Sequence, residues 1–187
     1  MDSCERKREV ISKCLDTFIK QGLSETSVRD LSGALNLQSG GIYYYFDDKD
    51  DVIAACAEEA ALRLENELIC SAMKNLSDPE LMIRKLYARC DELSSTMKFF
   101  ASVCALSRFE ERVKPVLDRL SKRYEFYVER FAEKLNCETA QVRPYVFMAI
   151  TTMSDYMIFG GREYVEPQLV IFKEKLEELL RGNGKIN

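Results

Sequence analysis

The residue types that could do chemistry here are restricted at the outset, because the 187 residues include no histidine. Ser-His-Asp and Cys-His nucleophiles, His-containing zinc sites and imidazole proton shuttles are therefore excluded. What remains is carboxylates, lysines, tyrosines and seven cysteines, at positions 4, 14, 56, 70, 90, 104 and 137. The cysteines form no CxxC pair and their number is odd, so they read as neither a zinc cluster nor a disulfide framework. No pair of acids sits on an otherwise apolar wall. The expectation is a protein that is not an enzyme, with no catalytic residue, metal or cofactor.

A recognition chemistry is offered instead by Leu37-Gln38-Ser39-Gly40-Gly41-Ile42-Tyr43-Tyr44-Tyr45-Phe46. Ile42 and Phe46, four apart, share one helix face and should anchor it to a core, which leaves Tyr43 and Tyr44 pointing elsewhere. Ser39 fits an N-cap. Gly40 and Gly41 would expose backbone amides in the first turn, where a phosphate can approach.

The elements that must position this stretch are helices. There are only 8 glycines and 4 prolines, and no glycine occurs from Ile42 to Phe159. Turn signals are too sparse for a β-sandwich or repeated βαβ units, so the fold class is all-α. Val10, Ile11, Cys14, Leu15, Phe18 and Ile19 have the paired spacing of an amphipathic helix, which Gly22 should end as a left-handed cap. Ser27-Val28-Arg29-Asp30 fits a capping box, and Val28, Leu31 and Leu35 mark a short second helix ending near Asn36, a residue suited to the left-handed turn. Two short helices joined by three or four residues make a helix-turn-helix, whose second helix lies in the DNA major groove.

These linked positions, "FIKQG", "TSVRDLS", "GIYYYF" and "DDKDDVI" in order, resemble the tetracycline-repressor (TetR) family of bacterial transcription regulators over roughly the first third of the chain. The resemblance implies phosphate-anchoring roles for Ser27, Gly40, Tyr43 and Lys49. It places Gln38, Ser39, Gly41 and Tyr44 where base edges are faced, with Arg29 also reaching DNA. The chain departs from the pattern at the turn, where Asn36 stands for glycine, at Gln38, which stands for the usual Ser cap, and at Gly41, which stands for Thr or Ala. By this reading residues 1–48 form the DNA-binding domain, with a recognition helix at about 39–45, and residues 49–187 form a helical effector-binding and dimerisation domain.

Charge argues for caution. The formal net charge is −4, and residues 1–50 hold seven basic and nine acidic side chains. Few cations are available for counterion release, so DNA is expected to be held by hydroxyls, amides and the pairing of two half-sites, with a shallow salt dependence.

The remaining two-thirds reads as long helices. Asp78 or Ser77 before Pro79 is a helix start; further helices are expected over Met97–Phe109 and Val113–Leu135, with a break near Pro115. Phe100, Cys104, Tyr124, Tyr127, Met153, Asp155 and Met157 are candidates to line an effector pocket, which in helical proteins is mostly apolar with a few polar groups. Asp155 is the single charge between Tyr145 and Phe159, costly on so apolar a helix unless paired. That helix and the one bearing Leu169, Phe172, Leu176 and Leu179 are where the resemblance implies a two-fold dimer interface, drawn on those four residues and on Tyr145, Ala149, Thr152 and Tyr156.

The expected partners are double-stranded operator DNA, a second copy of the chain and a small-molecule effector. No secretion signal or apolar run long enough for a membrane span is seen, so the cytoplasm is expected. The alternative is a helical ligand-binding module of the same fold with weak or no specific DNA binding.

Overall fold

The computed structural model describes residues 3–38 and 40–183. Among them the chain is helical and has no strand, in keeping with the all-α class. The order is α1 Ser3–Gln21, α2 Val28–Ala34, α3 Lys49–Lys74, α4 Pro79–Cys104, α5 Glu110–Leu135, α6 Thr139–Phe159 and α7 Arg162–Asn183, with 3-10 turns at Gly41–Tyr44 and Ser107–Phe109. The chain divides into two compact units, one of Met1–Leu64 and Ser95–Leu117, the other of Glu65–Ser94 and Asp118–Asn187. This division differs from a boundary after residue 48. The reason lies in the core of the first unit, which takes Val52, Ile53, Cys56, Ala57 and Ala60 from α3 and Phe99, Val103, Phe109 and Val113 from the later segment.

In the first unit, α1 buries Val10, Cys14, Leu15 and Phe18. Gly22, at φ 99°, ends the helix, its amide donating to Phe18 O at 2.8 Å. Thr26 is fully buried and donates its hydroxyl back to Gly22 O at 2.7 Å, which ties off the connection. Ser27 then caps α2. Its hydroxyl accepts from Asp30 N at 3.2 Å while its own amide donates to Asp30 Oδ2 at 2.8 Å, so two of the amides left open at the helix start are satisfied reciprocally.

Asn36, at φ 54°, ends α2 with Leu37 N donating to Ser32 O at 2.9 Å and Asn36 N to Gly33 O at 3.0 Å. This is a Schellman turn, with asparagine where glycine is usual. Asn136, at φ 49°, repeats it at the end of α5, with Cys137 N to Ala132 O at 3.0 Å and Asn136 N to Glu133 O at 3.1 Å.

One expected helix start, at Met97, and one expected break, near Pro115, are displaced. α4 runs 26 residues without interruption, because nothing between Leu93 and Met97 can stop a helix. Pro115 lies inside α5, near its start, and the break falls upstream at the turn Ser107–Phe109, pinned by the buried Phe109 ring. Asp78, rather than Ser77, caps α4 through Leu81 N at 2.9 Å.

In the second unit, α6 and α7 form an antiparallel hairpin about Gly160 and Gly161, both at positive φ. α6 buries Val142, Val146, Ala149, Thr152, Met153 and Met157, and α7 buries Val165, Leu169, Phe172, Leu176 and Leu179. Tyr156 donates to Asp91 Oδ1 at 2.7 Å, and Ser94 donates to Met157 O at 2.7 Å, fastening α6 to α4. No helix of the described residues is long and apolar enough to cross a membrane.

Candidate nucleic-acid interface

The stretch expected to be a recognition helix at about 39–45 is instead a single 3-10 turn over Gly41–Tyr44. Its bonds close over three residues: Gly41 N to Gln38 O at 2.8 Å, Tyr43 N to Gly40 O at 3.0 Å and Tyr45 N to Ile42 O at 3.0 Å. Two adjacent glycines favour no longer helix, and Asp48 restarts the chain by capping α3 through Asp51 N at 2.7 Å. Ser39 lies outside the described residues. The N-cap position of the turn is Gly40, at φ 90°.

The glycines have different reasons to be there. Gly40 occupies a backbone region that side chains rarely adopt. At Gly41 an added Cβ would sit 3.0 Å from Leu37 Cβ, so packing accounts for the departure at this position. The Gly41 amide is committed to Gln38 O, and so it does not present a free donor to a phosphate as the sequence suggested.

Ile42 and Phe46 are buried and anchor the turn. Tyr43 is 54% exposed and Tyr44 86% exposed, with the Tyr44 ring edge-on to Tyr45 at 5.0 Å. Gln38, Ser27 and Arg29 are exposed, and Gly40, Gly41 and Lys49 are half-buried. Ser27 is the least free, since its hydroxyl also donates to Asp30 Oδ2 at 2.5 Å. That bond, ahead of the others, holds the Asp30 carboxyl below its ordinary value.

Two cations missed in the sequence reading approach the turn from α1. Lys7 Nζ lies 5.2 Å from the Phe46 ring centre, and Arg6, paired with Glu9 at 2.9 Å, is held more basic than usual by the nearby Tyr45 hydroxyl first and by Glu9. The run Arg6-Lys7-Arg8 was the available signal. Two of the acids counted against DNA binding, Asp48 and Asp50, and the adjacent Asp51 are also partly answered from far along the chain. Arg112 reaches Asp51 at 2.8 Å and Asp48 at 3.2 Å, and Arg108 reaches Asp50 at 3.9 Å.

The residues proposed for a pocket are not all inward. Asp155 is exposed, because α6 buries the opposite stripe, so its charge is solvated and needs no internal partner. Met153 and Met157 are buried, Met153 taking the Cys90 thiol at 3.4 Å. Tyr124 donates to Arg143 O at 3.0 Å, and Tyr127 donates to Glu65, a buried carboxylate the sequence reading passed over. Phe100 and Cys104 belong to the first unit, Phe100 packing against its core. Burial pushes the Cys14 and Cys90 thiols up to about 12, and Cys56 well above the usual range, which leaves them inert.

The residues expected at a dimer interface also need correction. Ala149, Thr152, Leu169, Phe172, Leu176 and Leu179 are buried within the single chain, and Tyr156 is bonded to Asp91, while Tyr145 is half-buried. The exposed apolar side chains of α6 and α7 are Phe147, Ile150, Phe159, Tyr164, Val170 and Ile171. Periodicity located the stripes but not which of two apolar stripes turns inward.

Residues 11–56 match the model of bacterial regulatory proteins, tetR family. No curated protein matches the chain. Among solved structures, a putative TetR-family transcriptional regulator from Mesorhizobium loti MAFF303099 superposes with TM-score 0.69 at 16% identity, over 97% of this chain and 98% of that one. The multidrug binding protein EbrR, complexed with imidazole, gives 0.57 at 16% identity over 91% and 94%. The TetR-family regulator PfmR from Thermus thermophilus gives 0.52 at 18% identity over 92% and 97%. At these identities the superpositions speak for the fold, and the match over α1, α2, the tyrosine turn and the start of α3 speaks for the head. Residues 11–56 are similar to the tetR family of bacterial regulatory proteins, and the chain as a whole shares the fold of the solved structures it superposes on.

Proposed function

We propose that the chain is a transcription regulator that binds operator DNA through the Gly41–Tyr44 turn, acts as a homodimer on a palindromic site, represses, and is released by a small-molecule effector. Tyr44 carries the reading. A phenol ring 86% exposed, on a turn whose Ile42 and Phe46 anchors are buried, contributes nothing to the core. On this reading it meets a groove, with the Tyr43 and Tyr44 hydroxyls contacting phosphates and base edges. Arg29 and Gln38 precede it in the chain and Lys49 follows it, and Lys7 adds a cation from α1 beside Phe46.

The second copy would meet the outward stripes of α6 and α7, where Phe147, Ile150, Val170 and Ile171 offer one self-complementary patch. The effector reading is supported by a structural neighbour that is a multidrug binding protein complexed with imidazole.

Titration of the protein against DNA from upstream of its own gene, beside random DNA, tests this. Tyr44→Ala should weaken specific binding roughly tenfold, as loss of one good base or phosphate contact does, and leave random-sequence binding nearly unchanged. Equal weak binding to both DNAs favours the second reading, a helical binding module with little specific DNA affinity. One observation speaks for that module: Ser27, the expected phosphate anchor, carries the Asp30 carboxylate on its hydroxyl and amide.

A further inference from the structure

The second unit contains a carboxylate that its neighbours satisfy on one side only. Glu65, on α3, is 8% exposed. Its Oε1 accepts from Arg123 Nε and from the Tyr127 hydroxyl. Arg123 Nη2 donates instead to Tyr127 Oη, at 2.7 Å. A guanidinium meeting a carboxylate head-on delivers parallel bonds to both oxygens. Here the fork is divided between Glu65 and Tyr127, and both donors converge on one carboxylate oxygen. The other, Oε2, is buried and accepts no hydrogen bond from any described residue. Buried acceptors are rarely left so, because the lost hydration is not recovered.

Arg123 and Tyr127 are one helical turn apart on α5, the guanidinium 5.6 Å from the tyrosine ring centre, so the orientation of the carboxylate is set by two partners. Arg123 already balances the charge of Glu65, so what Oε2 lacks is an N–H donor, whether neutral or charged. The Arg123 side chain is 44% exposed, so the cluster lies near the surface although Oε2 itself is buried. Phe126 stands beside Tyr127, ring centres 5.6 Å apart, and gives a flat apolar group something to lie against.

We propose that Glu65 Oε2 is the recognition point for a small organic ligand presenting an N–H donor: an amide, an amidine or a protonated amine. Arg123 and Tyr127 hold the carboxylate for it, and carboxylate or phosphate ligands are rejected because they bring only acceptors to an acceptor. The assignment rests on the effector reading above and names the chemistry its ligand would have.

The test is calorimetric titration and thermal shift of the full chain with benzamide and benzamidine, each beside its fully N-methylated counterpart, and with benzoate. The N–H forms should bind at least about tenfold tighter than the methylated ones, the expected effect of a hydrogen bond to a charged group, and benzoate should not bind. Glu65→Gln, which can turn its own amide donors toward the ligand, should remove that preference. Equal binding of methylated and unmethylated probes, no binding of any N–H probe at millimolar concentration, or full affinity in a Glu65→Gln protein that melts like the parent would each overturn the proposal. Should Glu65→Gln not fold, the methylation series on the unaltered protein decides alone. N–H probes that bind without altering operator affinity leave the site standing and defeat effector release. Release by some other ligand, with no N–H probe bound, does the reverse.

Discussion

Arg112 grips Asp48 with both terminal nitrogens, at 3.2 and 3.4 Å, although 64 residues separate them in sequence. Asp48 is the residue that caps α3 directly after the tyrosine turn, so the start of α5 is fastened to the start of α3. The same guanidinium lies 2.8 Å from Asp51. Both partners of this pair are exposed, and its worth to stability is small; its effect is on the field beside the turn. Arg112→Gln should weaken DNA binding while scarcely moving the melting temperature, and the weakening should grow as salt is lowered, because repulsion from the released acids is screened over about 10 Å at 0.1 M salt. Anisotropy titrations at two ionic strengths measure it; a mutant-to-parent affinity ratio that ignores salt would rule the mechanism out.

Acid should loosen the head through its caps. The Asp48 carboxyl is held below its ordinary 3.8 by the Arg112 hydrogen bond first, and Asp30 by its bonds to Ser27. A carboxyl whose folded pKa is depressed contributes fully above its unfolded pKa and loses that contribution as pH falls through the folded value. The stability difference between the parent and Asp30→Asn should therefore be present near neutrality and vanish below the lowered folded value. Urea melts across that range decide it, and a difference that persists into strong acid contradicts the assignment.

Gly40 and Gly41 should differ when each is changed to alanine. At Gly40, φ 90° puts a side chain in a strained region, costing roughly 1–2 kcal/mol. At Gly41 the added methyl meets Leu37 Cβ at 3.0 Å, which a shift of a few tenths of an ångström relieves, and the backbone there is not in the left-handed region. Gly40→Ala should be the more destabilising in chemical denaturation. The opposite order would mean that the turn is not built as described.

Substitutions on α6 and α7 separate an outer face from an inner one. Phe147 is 58% exposed and Phe172 2% exposed. Phe147→Glu should leave the single chain folded and shift the oligomeric state, read by light scattering after size exclusion. Phe172→Ala should cost about 3–5 kcal/mol, as large cavities in cores do. If instead Phe172→Ala changed only the oligomeric state and Phe147→Glu unfolded the chain, the two faces would be reversed.

Much of the first unit is legible from local sequence because its devices are local. The Ser27–Asp30 box, the Gly22 end and the Asn36 turn each involve residues within five positions, and each is found where the spacing puts it. The recognition segment was legible as a position and not as a conformation, since a run of two glycines and three tyrosines does not say whether four residues close as an α or a 3-10 turn. Contacts between distant residues were out of reach. Nothing near Asp48 announces Arg112, and a count of charges over residues 1–50 cannot see a cation arriving from α5. Glu65 shows the same limit, because one acid among the many of α3 looks like a solvated face until Arg123 and Tyr127 are beside it.

The shortness of the tyrosine turn limits how much sequence it can read. Four residues at about 2.0 Å rise span about 8 Å, which at about 3.4 Å per step of duplex covers two or three base pairs. A palindrome read only there would specify about five positions, a word that recurs by chance on the order of once in 10³, against the 10⁶ or more competing sites of a genome. The missing information must come from outside the turn. Under the proposed function, the separation between half-sites and the backbone contacts of Arg6, Lys7 and Arg29 would carry as much of the address as the tyrosines do.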